Sequence, residues 1–139
     1  EQWYAKGGMN SHNHAMFSGP LATLFSRFGG IQAQAPGFRR FAVNPSISDS
    51  LVWVKVSVET VLGLAACSWR KTDEGLILEV TVPPGAEAEV AVPASSVDRI
   101  FEGGVPAFRA KGVRPISRRQ ERELFIVAGG RYVFRAAYD

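Results

Sequence analysis

The stretch LVWVKVSVE, residues 51–59, places a valine at every second position. In an extended chain these valines share one face, while Lys55 and Glu59 lie on the opposite face with Trp53. An apolar face opposite a mixed face is typical of a strand that is buried on one side. The pattern therefore predicts a β-strand with these valines turned toward a core: Val52, Val54, Val56 and Val58.

The same period of two recurs along most of the chain. In GLILEVTVPPG (75–85), the side chains of Leu76, Leu78, Val80 and Val82 are predicted to point inward, with Glu79 and Thr81 outward. AEAEVAV follows the same rule, and ELFIVAG and GRYVFRAAY are predicted as a last strand pair joined by Gly129-Gly130. KTDEG and PPGAE have the composition of turns between strands.

A helical pattern precedes the strands. Apolar residues recur at spacings of three and four, and Gly29-Gly30 would end the helix. Pro20 predicts a helix that begins near Gly19 or a longer one that bends there. The predicted fold is mainly β: an antiparallel β-sandwich of about seven or eight strands preceded by one N-terminal α-helix. The apolar helix positions are Phe17, Leu21, Leu24, Phe25 and Phe28.

Composition limits the function classes. The 139 residues suit one domain with an appendage, and the net charge is +3. The chain has no run of 18 apolar residues, so no membrane span is predicted. The basic stretch 103–139 also contains acidic residues and lacks interleaved aromatic residues, which favours solvated side chains over nucleic-acid binding. Cys67 is predicted to be a small core residue, and Trp53 and Trp69 to pack in the core or on the sheet.

The candidate chemistry lies in EQWYAKGGMNSHNHAMFSG, residues 1–19, which holds both histidines. His12 and His14 lack a third ligand for zinc, so neither a metal nor another cofactor is expected. No GxSxG elbow accompanies the serines. A carboxylate near His, Asn and aromatic residues is typical of a sugar site; a capping loop of a small domain is the alternative.

This stretch, with LFSRFGGI and PGFRRFAVNP, resembles the C-terminal part of bacterial inverting α-L-rhamnosidases, and the resemblance covers the whole chain. Members of that family place the active site in an (α/α)6 barrel and end in a β-sandwich. The resemblance implies that residues 1–35 are a loop and last helix of the catalytic barrel, and that residues 36–139 are the C-terminal sandwich.

The resemblance also implies site roles. Glu1, followed by Gln2-Trp3, resembles the end of the family's WE motif, so it would be the general base that deprotonates the attacking water. His14 matches a histidine that contacts rhamnose, with Asn13 and Trp3 as weaker matches. The general acid would lie upstream of this chain. Ala15 and Pro20 depart from the family pattern, which bears on loop geometry and substrate preference.

The implied function is that of a C-terminal piece of a hydrolase for terminal α-L-rhamnosides, inactive alone, whose sandwich supports the barrel. The alternative is a carbohydrate-binding module, which needs exposed aromatics on one sheet face. The expected partners are rhamnose-containing glycosides, with no nucleic acid and no membrane. Self-association through an exposed helix face is a further expectation. The compartment of this bacterial protein, cytoplasmic or periplasmic/secreted, is left open.

Overall fold

Nine strands and one short helical segment form the fold in the computed structural model, which describes residues 19–137. The helical segment begins as α1 (Gly19–Thr23) and continues as a π-helical turn, Leu24–Phe28. Three 3-10 turns span Pro36–Phe38, Val97–Arg99 and Ala107–Arg109. The strands are β1 (Ile31–Ala33), β2 (Arg40–Val43), β3 (Trp53–Thr60), β4 (Gly63–Thr72), β5 (Gly75–Pro93), β6 (Ile100–Glu102), β7 (Val105–Pro106), β8 (Val113–Arg119) and β9 (Arg122–Ala136).

Two layers are formed because the long strands β5 and β9 each contribute one half to each layer. In the first layer the order is β3–β4–β5–β9–β6–β7, with residues 75–82 of β5 and 130–136 of β9. In the second layer the order is β1–β2–β5–β9–β8, with residues 87–93 and 122–128 of the same two strands. All of these pairs are antiparallel except β2 with β5.

The two long strands bend side by side. The register of β5 against β9 shifts between Val82 and Glu87. At the opposing position, a Cβ on Gly129 would lie 3.0 Å from the Pro83 carbonyl oxygen, so a larger residue there would push the strands slightly apart. The predicted turn at PPGAE and the predicted hairpin at Gly129-Gly130 are therefore wrong. Each is a bend inside one strand, because the chain keeps the same partner on both sides of it.

A contact between two phenylalanines of β9 shows that the layers face each other. Nine residues separate Phe125 from Phe134, a distance of about 30 Å along a straight strand. Their rings nevertheless stack with centroids 5.7 Å apart, because Phe125 belongs to the second layer and Phe134 to the first. Both are fully buried. The prediction of a mainly β sandwich preceded by a helix is confirmed, with nine strands and one parallel pair.

The sequence alternation agrees with the observed faces except at Val52. In β3 the valines 54, 56 and 58 are half-buried and the intervening residues are exposed. The predicted inward position of Val52 is wrong, because this residue precedes β3 and is 66% exposed. In β5 the predicted inward residues are all buried, with Glu79 and Thr81 half-buried on the other side. β1 pairs with β2 through Ile31 opposite Val43, so the sheet begins at Ile31. The division into a barrel piece, 1–35, and a sandwich, 36–139, stays a prediction.

Candidate functional site

The four residues that the sequence singles out for catalysis and sugar binding lie outside the described residues. Glu1, Trp3, Asn13 and His14 precede residue 19. Their proposed roles therefore stay predictions. The described residues nearest to them in the chain are those of the helical segment.

The helical segment is fixed to the sandwich by a buried tryptophan. The indole Nε1 of Trp69 donates a hydrogen bond of 2.8 Å to the Phe28 carbonyl oxygen, and the Trp69 side chain is 1% exposed. This bond satisfies a carbonyl at the end of the helical turn, where no residue of the helix itself can donate. Phe25 packs against the core beside it. The prediction that Trp69 is a packing residue is confirmed.

Two glycines allow the segment to approach the sandwich closely. A Cβ on Gly29 would overlap the Val56 side chain of β3. Gly30 has φ +73°, and a Cβ there would overlap the Pro45 backbone. The following loop is bonded back to the segment, since the Asn44 amide donates to the Gly30 carbonyl at 2.9 Å. We call this set of contacts the junction: residues 25, 28, 29, 30, 44, 45, 56 and 69.

Part of the apolar stripe of the helical segment has no cover from the described part of the chain. Leu21 is 69% exposed and Leu24 is 52% exposed, whereas Phe25 is half-buried and packs against the core. The sandwich therefore covers the stripe at Phe25 and leaves it open at Leu21 and Leu24. Phe17, the first residue of the predicted apolar stripe, lies outside the described residues. Self-association through this face stays a prediction.

The outer face of the first layer carries an aromatic residue that was predicted to pack in the core or on the sheet. Trp53 is 67% exposed and does not pack in the core, because it occupies the outer face of an edge strand. Cross-strand pairing sets one residue of each of five neighbouring strands in a line that begins at Trp53. We call this line the outer row: Trp53, Arg70, Ile77, Arg135 and Phe101.

Unpaired cations lie beside Trp53. Arg70 is directly opposite Trp53 on β4, and Lys55 follows Trp53 on the same face of β3. Among residues 19–137 no carboxylate forms an ion pair with either cation. Glu79, two strands away, accepts a hydrogen bond of 3.2 Å from Arg131 instead. The residues around Trp53 line a shallow cleft of about 200 Å³. This corner of the sheet therefore combines an exposed indole with two free positive charges.

The described residues contain no built catalytic or metal centre. No group of three or more His, Cys, Asp or Glu side chains is placed to hold a metal ion within residues 19–137. Burial raises the pKa of the Cys67 thiol to about 12, so at neutral pH it is protonated and is not a nucleophile. The predicted core position of Cys67 is confirmed. No helix of the described chain is long and apolar enough to cross a membrane.

A family model matches this sandwich. Residues 30–116 match the model described as the bacterial alpha-L-rhamnosidase C-terminal domain. The match therefore begins at Gly30 in the junction and continues into β8. The chain belongs to this family of C-terminal domains. The resemblance read from the sequence is thereby confirmed.

Curated relatives agree with the family. An alpha-L-rhamnosidase of Formosa agariphila is 26% identical over 131 residues, which covers 94% of this chain and 14% of the relative. One from an Alteromonas species is 31% identical over 94 residues, 68% of this chain and 10% of the relative. The chain thus spans about a seventh or less of the length of these relatives.

Solved structures share the fold. An α-L-rhamnosidase of Dictyoglumus thermophilum matches 96% of this chain with a TM-score of 0.76 at 27% identity, and this chain covers 15% of that structure. The Streptomyces avermitilis enzyme complexed with L-rhamnose matches 91% of this chain with a TM-score of 0.77 at 22% identity, over 12% of its own length. The second likeness supports the fold alone.

Proposed function

We propose that this chain is the support domain at the C-terminal end of an inverting α-L-rhamnosidase that removes terminal α-L-rhamnose from glycosides. The observation that carries the proposal is the junction. It attaches a helical segment to the sandwich through the Trp69–Phe28 bond of 2.8 Å and leaves the apolar side chains of Leu21 and Leu24 exposed. A support domain needs this arrangement, with the end of the segment bonded to the sandwich and apolar side chains available to the preceding domain.

Within this proposal, Glu1 is the general base and His14 binds the rhamnose ring, with Asn13 and Trp3 beside it. An inverting glycosidase uses one carboxylate to activate water and a second to protonate the leaving group. Because the second carboxylate would lie upstream, the chain alone has no complete acid–base pair. We therefore expect the isolated chain to release no aglycone from an aryl α-L-rhamnoside.

A chimera tests the support role. The corresponding C-terminal part of the Dictyoglumus thermophilum enzyme, which matches 96% of this chain, is replaced by residues 1–139. We expect the chimera to hydrolyse an aryl rhamnoside and to lose that activity at a lower temperature when Trp69→Phe removes the donor to Phe28. Arg114→Ala, at an exposed position on β8, is the matched control. An equal thermal inactivation profile for both variants would overturn the support role.

The same chimera tests the general base. Glu1→Gln removes the proton acceptor while it preserves the size of the side chain. We expect kcat to fall by about 10²–10⁴-fold, the usual contribution of a general acid or base, with the thermal inactivation profile unchanged. Unchanged kcat would reject Glu1 without affecting the proposal for the junction.

A further inference from the structure

We propose that the outer row binds an acidic oligosaccharide, with a uronate sugar on Trp53 and neutral sugars extending toward Phe101. The site is separate from the junction. The helical segment contacts Val56 and Trp69, which face inward, whereas Trp53, Lys55 and Arg70 lie on the outer face of the same two strands. Binding there does not depend on the support role.

The exposed indole provides the platform for a sugar ring. Trp53 leaves 67% of its side-chain surface in water, although full burial of a tryptophan is strongly favourable. The apolar C–H face of a pyranose that lies flat on the indole would remove that surface from water. A flat sheet face admits such a ligand from the side, since the cleft around Trp53 is shallow and open.

The charge beside Trp53 selects an acidic sugar. Arg70 lies directly across from the indole and Lys55 two residues along from it, so both are within about 7 Å of the Trp53 backbone. A carboxylate on the stacked ring reaches the guanidinium, whose fork matches two carboxylate oxygens. Ser68, opposite Lys55, offers a hydroxyl between the two cations. Glu79 also lines the cleft, but its carboxylate is bonded to Arg131, and Lys55 and Arg70 together leave the cleft with a net positive charge.

The far end of the row favours neutral sugars. Ile77, which is buried, and Arg135, which is exposed, continue the line to Phe101, which is 41% exposed. Four strand spacings separate Trp53 from Phe101, about 19 Å. The second cleft, of about 540 Å³, is lined by Glu74 and Asp98 as well as by Arg99 and Arg135, so its formal charges balance and it offers no net attraction to an anion in every unit of a polymer. A nucleic acid, which carries a phosphate per unit, therefore fits the row less well than one uronate followed by neutral sugars.

The test measures binding of three probes to the chain by isothermal titration calorimetry. The probes are a glucuronosyl xylotetraose, the neutral xylotetraose and an oligothymidylate of similar length. We expect the acidic sugar to bind at least about tenfold more tightly than the neutral one, which corresponds to the loss of one good contact. Equal affinity for the two sugars, or tighter binding of the oligothymidylate, would overturn the proposal.

Substitutions then locate the site. Trp53→Ala should weaken binding of the acidic sugar by at least about tenfold, as expected for a central aromatic anchor. Arg70→Ala should bring its affinity down to that of xylotetraose, and Phe101→Ala should weaken the oligosaccharide but not free glucuronate. Arg114→Ala, which removes the same charge from the other layer, should change nothing. Equal losses in Arg70→Ala and Arg114→Ala would indicate non-specific attraction and reject the site.

Folding is checked for each variant by far-ultraviolet circular dichroism. If Trp53→Ala fails to fold, Lys55→Glu and Arg70→Glu on the exposed face carry the test, because a reversed charge should exclude the uronate without altering the core. Retained affinity in both of these variants would reject the proposal.

Discussion

Trp53 and Trp69 lie on neighbouring strands, one register step apart, in opposite surroundings. Trp69 pairs with Val54, and Trp53 pairs with Arg70. Trp69 is 1% exposed and donates to the Phe28 carbonyl, while Trp53 is 67% exposed beside two unpaired cations. Because side chains alternate between sheet faces, a shift of one residue exchanges a buried anchor for an exposed platform. The inner face of these strands is part of the core, and within residues 19–137 the outer face at Trp53 is exposed to solvent.

The largest expected effect is on the inner face. Trp69→Ala should lower the free energy of unfolding by about 3–5 kcal/mol, because it empties a buried site and leaves the Phe28 carbonyl without its donor. Urea denaturation followed by circular dichroism measures the change. Trp53→Ala is the paired control and should change stability by less than about 1 kcal/mol. Equal losses from the two substitutions would remove the distinction between the faces.

The second largest effect on stability is expected at Gly30 in the junction. Gly30→Ala should cost more than about 2 kcal/mol, since φ of +73° disfavours a side chain and the new Cβ would overlap the Pro45 backbone. Gly103 has φ +59° but open space around it, so Gly103→Ala should cost only the backbone term of about 1–2 kcal/mol. The difference between the two Tm values measures the cost of the overlap between the new Cβ and the Pro45 backbone. A Tm of Gly30→Ala at or above that of Gly103→Ala would contradict close packing at the junction.

The buried thiol of Cys67 in the core is expected to make the stability of the fold depend on pH. Burial raises the pKa of Cys67 from 9.0 to about 12, so between these values the unfolded chain loses the thiol proton before the folded chain does. Stability should therefore fall as the pH rises above 9, by at most about 1.4 kcal/mol per pH unit from this group. Denaturation curves at pH 8 and pH 10 measure it. Cys67→Ala should reduce the dependence, and an identical slope in both proteins would contradict the shift.

The smallest effect is expected for an ion pair on the outer face. Arg131 and Glu79 are bonded at 3.2 Å, but their side chains are 73% and 35% exposed. Water screens such a pair, so Glu79→Gln should alter stability by less than about 1 kcal/mol. A loss as large as that of Trp69→Ala would show that the outer face also stabilises the fold. Thermal unfolding at low and high salt provides the measurement.

The two long strands show where sequence patterns reach their limit. Pro83-Pro84-Gly85 and Gly129-Gly130 have the composition of turns. The alternation before Pro83 correctly predicted the inward and outward faces of β5. Whether a chain reverses or only bends at such residues depends on the strand beside it. Here β5 and β9 remain paired through both bends, a long-range arrangement that local composition does not encode.

The candidate site was predictable in part. Alternation placed Trp53 with Lys55 on the face opposite the valines, and the structure agrees. The error was to assign Trp53 to packing. Arg70, Arg135 and Phe101 were not connected to it, because strand order and register bring together residues up to 82 positions apart in the numbering. No local motif marks such a row.

The sequence by itself determined the strand character of most of the chain, the inward faces of β3 and of the first half of β5, and the family, because hydrophobic period and residue order are local properties. It also indicated Gly29-Gly30 as the end of the helical segment. Only the tertiary structure decided that Trp69 would be covered and Trp53 left open. Whether a sheet face is buried depends on what packs against it. Here the second layer and the helical segment pack on the inner face, and within residues 19–137 Trp53 on the outer face stays exposed.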